Sequence, residues 1–417
     1  MYRKETLPNG VRIVTEEIPY VRSVALGIWV GAGSRDEDDS NNGIAHFIEH
    51  MMFKGTARRS AKEIAEALDA VGGQLNAFTS KEYTCYYAKV LDEHLDVAVD
   101  LLSDMFFNSL FREEDIEKEK NVIIEEIKMY EDTPDELVHD IFASTLWHGH
   151  ALGRPVIGTD KIIGHLGKKE LLAFREKFYS PDSLVVAAAG NIQHETVVGK
   201  LASLFGNINS LRPVRNYGVP KPNCRVSCKD KDTEQVHVCI GTPGLPMDDK
   251  NIYVLHIMNS ILGGGLSSRL FQEIREERGL AYSIFTYHSS YQDAGLFSIY
   301  AGLSRNNLDE VISLISREVR DVRYNGVTGE ELTRAKEQLK GNILLGLENV
   351  SNRMTRLGKS ELSLNRIVTV EEAVEKINRV SLEDISDLAG ELFRSENVVI
   401  SSIGPGLDEK KLKVCID

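Results

Sequence analysis

Along the chain, short runs rich in β-branched and aromatic residues alternate with longer amphipathic stretches dense in charge. VALGIWVGAG (24–33) and TCYYAKVL (84–91) have the composition and length of strands. EEDIEKEKNVIIEEIKMYED, from Glu113, spaces its apolar residues at the helical period and fills the rest with charge. LPNG (7–10) reads as a hairpin turn, so regular structure starts almost at the first residue. Strands interleaved with long helices predict an α+β fold, mixed sheets covered by helices.

The pattern runs twice. LDVAVDLLSDMF from Leu95 is matched by LDEVISLISREV from Leu308, with Leu, Asp, Val or Ile, and Leu in register. REEDIEKEK from Arg112 is echoed by GEELTRAKE from Gly329. Repetition of whole elements in the same order is the mark of a duplicated domain. A chain of 417 residues also exceeds one ordinary core. The most proline-rich stretch, NSLRPVRNYGVPKPN (209–223), lies at the midpoint. The expected domains are residues 1–212 and 213–417.

Composition narrows the function classes. The hydrophobic and charged fractions, 42% and 27%, are those of a soluble globular chain. A net charge of −14 argues against nucleic acid or an anionic membrane as partner. No run reaches the ~18 apolar residues of a spanning helix, and the N-terminus has no apolar core of a secretory signal. Cys85, Cys224, Cys228, Cys239 and Cys415 are odd in number and irregular in spacing, so a disulfide framework is not expected. Cys224 and Cys228 with His237 do not have a zinc-site spacing, nor do His148 and His150 at i, i+2 in WHGH. Inert thiols in a reducing, cytoplasmic compartment are the expectation.

One stretch breaks the apolar pattern. In GIAHFIEHMMFKGT (43–56), His46 and His50 stand at i and i+4 on one face of a helix, with Glu49 at its edge. Two imidazoles at that spacing can converge on one metal ion. The motif occurs once: HIMNSILGGG, from His256 in the second half, has no histidine four residues on. A catalytic zinc wants a third protein ligand. The helix from Glu113 offers Glu117, Glu119, Glu125, Glu126 and Glu131, most of which must face water because buried unpaired carboxylates are costly. Glu119 and Glu126 share a face, and Val122, Ile123 and Ile127 lie on or beside it. An inward carboxylate there needs a cation or a donor, and spacing does not choose between the two.

HFIEHMMFKGT resembles the active-site signature of the inverted-zincin metallopeptidases, the pitrilysin family, and especially the subfamily around the mitochondrial processing peptidase β subunit. GGQLNAFTSKEYTCYYA at Gly72, GNIQHE at Gly190 and LGGGLSSRLFQEIREERGLAYS at Leu262 extend the resemblance over most of the chain. It implies two similar α/β-sandwich domains facing a central cavity, and a zinc-dependent endopeptidase. By the family's spacing the third ligand falls on Glu126. The resemblance thus implies zinc held by His46, His50 and Glu126, with Glu49 as general base and Glu119 in support. It also implies that the edge strand with Asn76, Ala77 and Phe78 pairs with extended peptide substrates. Arg275 and Tyr282, seven apart in REERGLAY, match an arginine and a tyrosine that steady the substrate carbonyl and the oxyanion. From the residues alone, Arg275 is a surface salt-bridge residue and Tyr282 an interior aromatic.

GGG at 263–265 is similar to a shortened glycine-rich loop of processing peptidases, and equally suits a close-packed turn. Because one chain carries both HFIEH and the Arg/Tyr segment, the resemblance implies a homodimer with two sites and peptide substrates. The alternative is a catalytically silent or heteromeric-partner member of the same fold, which the intact set His46, Glu49, His50 and Glu126 disfavours.

Overall fold

The computed structural model describes residues 2–208, 215, 217–410 and 412. Most of the 209–216 part of the proline-rich stretch, and Cys415, lie outside the described residues. The chain divides into two compact units, each drawing on several segments. Unit 1 comprises residues 1–128, 154–217 and 346–368; unit 2 comprises residues 129–153, 218–345 and 369–417.

Unit 1 is built on six strands: β1 (Tyr2–Thr6), β2 (Arg12–Glu17), β3 (Ser23–Val30), β4 (Gln74–Thr79), β5 (Thr84–Leu91) and β6 (Leu184–Gly190). They lie in the order β1-β2-β6-β3-β5-β4. Only the β2–β6 pair is parallel. The hairpin at LPNG forms, with Gly10 in the left-handed region at φ +101° and its N–H donating to the Leu7 carbonyl at 2.9 Å. β1 carries YRKET and is wholly exposed, a charged outer strand of the kind that discourages further pairing. β6, LVVAAAG, is buried at every position because helices cover both faces of the sheet.

Unit 2 repeats the plan. β7 (Val226–Asp230), β8 (Val236–Gly244), β9 (Ala281–Ser290), β10 (Gly295–Leu303) and β11 (Val399–Gly404) lie in the order β7-β11-β8-β10-β9. Taken in chain order, β7 to β11 pair as β2 to β6 do, with the one parallel contact between β7 and β11. The helices at Leu95–Asn108 and Leu308–Asn325, whose sequences match, follow β5 and β10 respectively. The molecule is therefore α+β with two similar domains, as the repeated pattern predicts.

Each sheet has its second face covered by a helix from the other half of the sequence. Val350, Met354 and Leu357 of the Val350–Leu364 helix pack with Val14, Trp29, Val185 and Ala187 on the unit 1 sheet. Val138, Phe142 and Leu146 of the Pro134–Leu146 helix pack with Cys239, Leu296, Val399 and Ile403 on the unit 2 sheet. In unit 1 the contact is close. A Cβ at Gly358 would lie 2.2 Å from Nε1 of the fully buried Trp29, whose indole N–H donates to Met354 Sδ at 3.3 Å.

This approach gives a stability test with a sign. On an open helix face Gly→Ala stabilises by about 0.8–1.0 kcal/mol, whereas forcing a carbon into a filled core costs roughly 1–3 kcal/mol. Gly358→Ala is expected to lower the urea midpoint; a raised midpoint would show that the helix is not seated on Trp29.

Candidate metal centre

The Ile44–Met51 helix points Ile44, Phe47, Ile48 and Met51 into the unit 1 core. Its other side carries His46, Glu49 and His50. It starts at Gly43, whose φ of +94° suits glycine, and it has no side-chain cap of its own. The Glu113–Glu131 helix buries Ile116, Glu119, Ile123 and Ile127, a single stripe at helical spacing. Val122 falls outside that stripe and is half exposed, against the sequence expectation. Glu119 is buried, while the Glu126 side chain is 37% exposed, so the two carboxylates that share a face have different surroundings.

His46 Nε2 lies 3.9 Å from Glu126 Oε1, and His50 Nε2 lies 3.6 Å from Glu126 Oε2. These separations are too long for hydrogen bonds. They are close to the ~3.3 Å edge of a tetrahedron whose metal–ligand distances are about 2.0–2.1 Å. Three ligand atoms therefore converge without bonding to one another. Among the described residues, His46, His50 and Glu126 form the one group of three or more His, Cys, Asp or Glu close enough to share an ion. His148 Nδ1 instead meets Arg225 Nη2 at 3.2 Å, and His150 Nδ1 accepts from the Leu152 N–H at 3.1 Å.

Protonation suits the arrangement. Burial, helped by the neighbouring His50, pushes the His46 pKa down to about 3, so its imidazole is neutral at physiological pH. His50 Nδ1 lies 2.8 Å from Glu119 Oε1. A carboxylate accepts, so Nδ1 donates to Glu119 and Nε2 is the nitrogen left facing Glu126. Lys54 Nζ pairs with the other Glu119 oxygen at 2.6 Å. Burial alone would raise the Glu119 pKa; hydrogen bonds from His50 and Lys54, with their charge, hold it below the usual carboxylate range.

Glu49 sits beside the pair. Burial raises its pKa; the Thr79 hydroxyl, which donates to Oε2, and the adjacent His50 oppose the rise, and Glu126 adds to it. A carboxylate shifted upward and oriented by a hydroxyl is suited to accepting a proton at neutral pH. Lys54 and Thr79 are contacts of Glu119 and Glu49 that spacing did not single out, although both lie inside the quoted motifs.

Thr79 ends β4, the outermost strand next to β5. In that strand Asn76 is exposed and its Oδ1 accepts the Ala77 N–H at 2.8 Å. Phe78 packs edge-on to Trp29, ring centroids 5.6 Å apart, on the sheet face opposite the metal helix. In unit 2, Arg275 lies in a π-helical turn, Phe271–Glu276, a form concentrated at functional sites. Its guanidinium is 5.0 Å from the Phe271 ring and 5.5 Å from the Tyr282 ring. The two residues are thus neighbours, Arg275 over both rings and Tyr282 75% exposed at the start of β9. Gly263, first of the GGG, ends a helix so close to β9 that a Cβ would lie 2.6 Å from Thr286, a packed turn at that position.

Residues 12–160 match the family model for insulinase, peptidase family M16, and residues 165–339 match the model for the peptidase M16 inactive domain. The chain belongs to the M16 peptidase family. It is 45% identical over 405 residues to a Bacillus subtilis protein named an uncharacterized zinc protease, covering 97% of this chain and 98% of that one. A Streptomyces coelicolor protein of the same description is 44% identical, covering 98% and 90%. Among solved structures, a protease from Helicobacter pylori superposes with a TM-score of 0.89 at 22% identity, covering 97% and 99%. A Pseudomonas fluorescens structure described as a peptidase M16 inactive domain gives 0.91 at 20%, covering 98% and 99%. These likenesses show the fold. The M16 assignment agrees with the pitrilysin-family resemblance, and the inactive-domain match begins after HFIEH and lies mostly in the second half. No helix among the described residues is long and apolar enough to cross a membrane.

Proposed function

We propose that this M16 chain is a zinc-dependent endopeptidase that hydrolyses peptides or presequence-like unfolded segments. The observation that carries the reading is the convergence of His46, His50 and Glu126 with the half-buried Glu49 beside them. The donor set fits zinc: two imidazoles, that of His46 in the neutral form, and one carboxylate, leaving room for a fourth position. Zinc held there supplies Lewis acidity, polarising a peptide carbonyl and making water a nucleophile at neutral pH.

The chain's own residues do the rest. Glu49 takes the proton of the attacking water and returns it to the leaving amine, its carboxylate aimed by Thr79. Glu119 fixes the His50 ring and is itself held by Lys54. β4 offers its free edge to an extended substrate, and Asn76, Ala77 and Phe78 form the pairing segment. A substrate carbonyl would replace the Asn76 side chain on the Ala77 N–H. Arg275 and Tyr282 hold the carbonyl and the developing oxyanion, contributed by a second copy in a homodimer. The net charge of −14 favours basic peptides, and a cytoplasmic location is part of the reading.

The test is cleavage of an unstructured basic peptide before and after metal removal. Activity should vanish on dialysis against a chelator and return with about one zinc per chain. Cleavage that survives metal removal would overturn the reading. A zinc-loaded chain that does not cleave would favour the silent or heteromeric-partner alternative.

A further inference from the structure

We propose that Glu37 is a positioning residue for the metal centre, holding the first turn of the helix that carries His46. The inference rests on the zinc reading above. A helix leaves its first N–H groups without internal partners, and Gly43 has no side chain to serve them. Glu37, 5% exposed, does so from outside the helix. Its Oε2 accepts the Gly43 N–H at 2.8 Å and the Asn42 side-chain amide at 2.8 Å, and its Oε1 accepts the Ala45 N–H at 2.9 Å. The Ile44 N–H, another early donor, goes to the Asn41 carbonyl at 3.0 Å. Ala45 directly precedes His46. A shift of the first turn would therefore carry the imidazole with it, and zinc–ligand distances fall within about 0.2 Å of their usual values.

Glu37 is itself fixed by its neighbours. The buried Arg35 pairs with Glu82 at 2.6 Å, and its N–H donates to the Lys81 carbonyl at 2.7 Å. Asp36 pairs with Arg215 at 3.0 Å and accepts the Tyr217 hydroxyl at 2.8 Å. The Arg154 guanidinium donates to the Glu37 backbone carbonyl and pairs with Asp39 at 2.9 Å. The same Arg35–Glu82 contact ties this loop to the turn that follows Thr79, the residue that aims Glu49. One buried bracket thus anchors both the ligand helix and the strand end that orients the base.

The experiment measures the rate at which a chelator strips zinc from the loaded chain, with peptide kinetics alongside. Glu37→Gln has nearly the same shape, but one of its two acceptors becomes a donor facing N–H groups. It is expected to release zinc about 10–100-fold faster, the range for loss of a residue that orients a ligand. kcat should fall while KM stays within about twofold. Glu37→Asp keeps both acceptor oxygens, withdraws the carboxyl group by one carbon, and should shift both quantities in the same direction by less. Glu361→Gln is the comparison: Glu361 is also fully buried and pairs with Lys4 and Arg12, away from the metal helix. It should lower the melting temperature and leave zinc release at the native rate. Native-rate release from both Glu37 variants, with the native chain holding zinc, overturns this proposal alone. A native chain that holds no zinc overturns the functional reading and this one with it.

Discussion

Glu49→Gln should cut kcat by about 10²–10⁴-fold, the usual contribution of a placed general base, while the chain still binds zinc. Gln fills the same space and can still accept the Thr79 hydroxyl bond, so the local fold has no reason to change. What it cannot do is take a proton. Because Glu49 is adjacent to the ligand atoms and not among them, metal content should stay at about one per chain when measured by atomic emission. Activity within tenfold of native would remove Glu49 from the role of base. Loss of zinc along with activity would make it part of the metal's support.

Glu126→Gln should act on the metal first. It removes the only charged member of the ligand set and replaces it with a neutral amide oxygen, a poorer partner for zinc. The expected drop in zinc affinity exceeds the ~10–100-fold typical of a supporting residue, and cleavage should be lost even when zinc is added at micromolar levels. Glu119→Gln supplies the contrast. Its amide oxygen can still accept from His50 Nδ1, and it leaves Lys54 without its counter-charge, so affinity should fall within the 10–100-fold range. Competition against a chelating dye measures all three proteins. Equal affinity of Glu126→Gln and the native chain would mean that the 3.6 and 3.9 Å approaches to the histidines do not mark a ligand.

Much of this arrangement is legible in local sequence. The His46/His50 pair follows from helical spacing, and Gly10 in LPNG marks the first hairpin. The repeated helices after β5 and β10 follow from matching hydrophobic patterns. What spacing cannot give is the identity of an element's partner. The periodicity of the Pro134–Leu146 and Val350–Leu364 helices says that each has an apolar face, and nothing in it says that each covers a sheet from the other half. The same limit explains Glu119 and Glu126. They share a face, yet only packing decides that one is buried between His50 and Lys54 while the other stays half open at the ligand site. Arg275 shows it again: a charge in a run of charges reads as a surface ion pair, whereas a π-helical turn stacks it against Phe271 and Tyr282. Glu37 left one clue, a helix opening on Gly43 with acidic residues just before it, and only the fold shows which carboxylate turns back to cap it.

The most direct measurement is anomalous diffraction at the zinc edge from crystals grown with zinc. The account predicts one strong peak per chain, within about 2.0–2.2 Å of Nε2 of His46, Nε2 of His50 and a carboxylate oxygen of Glu126. A structure with zinc at full occupancy elsewhere, or with no peak between these three side chains, would contradict it.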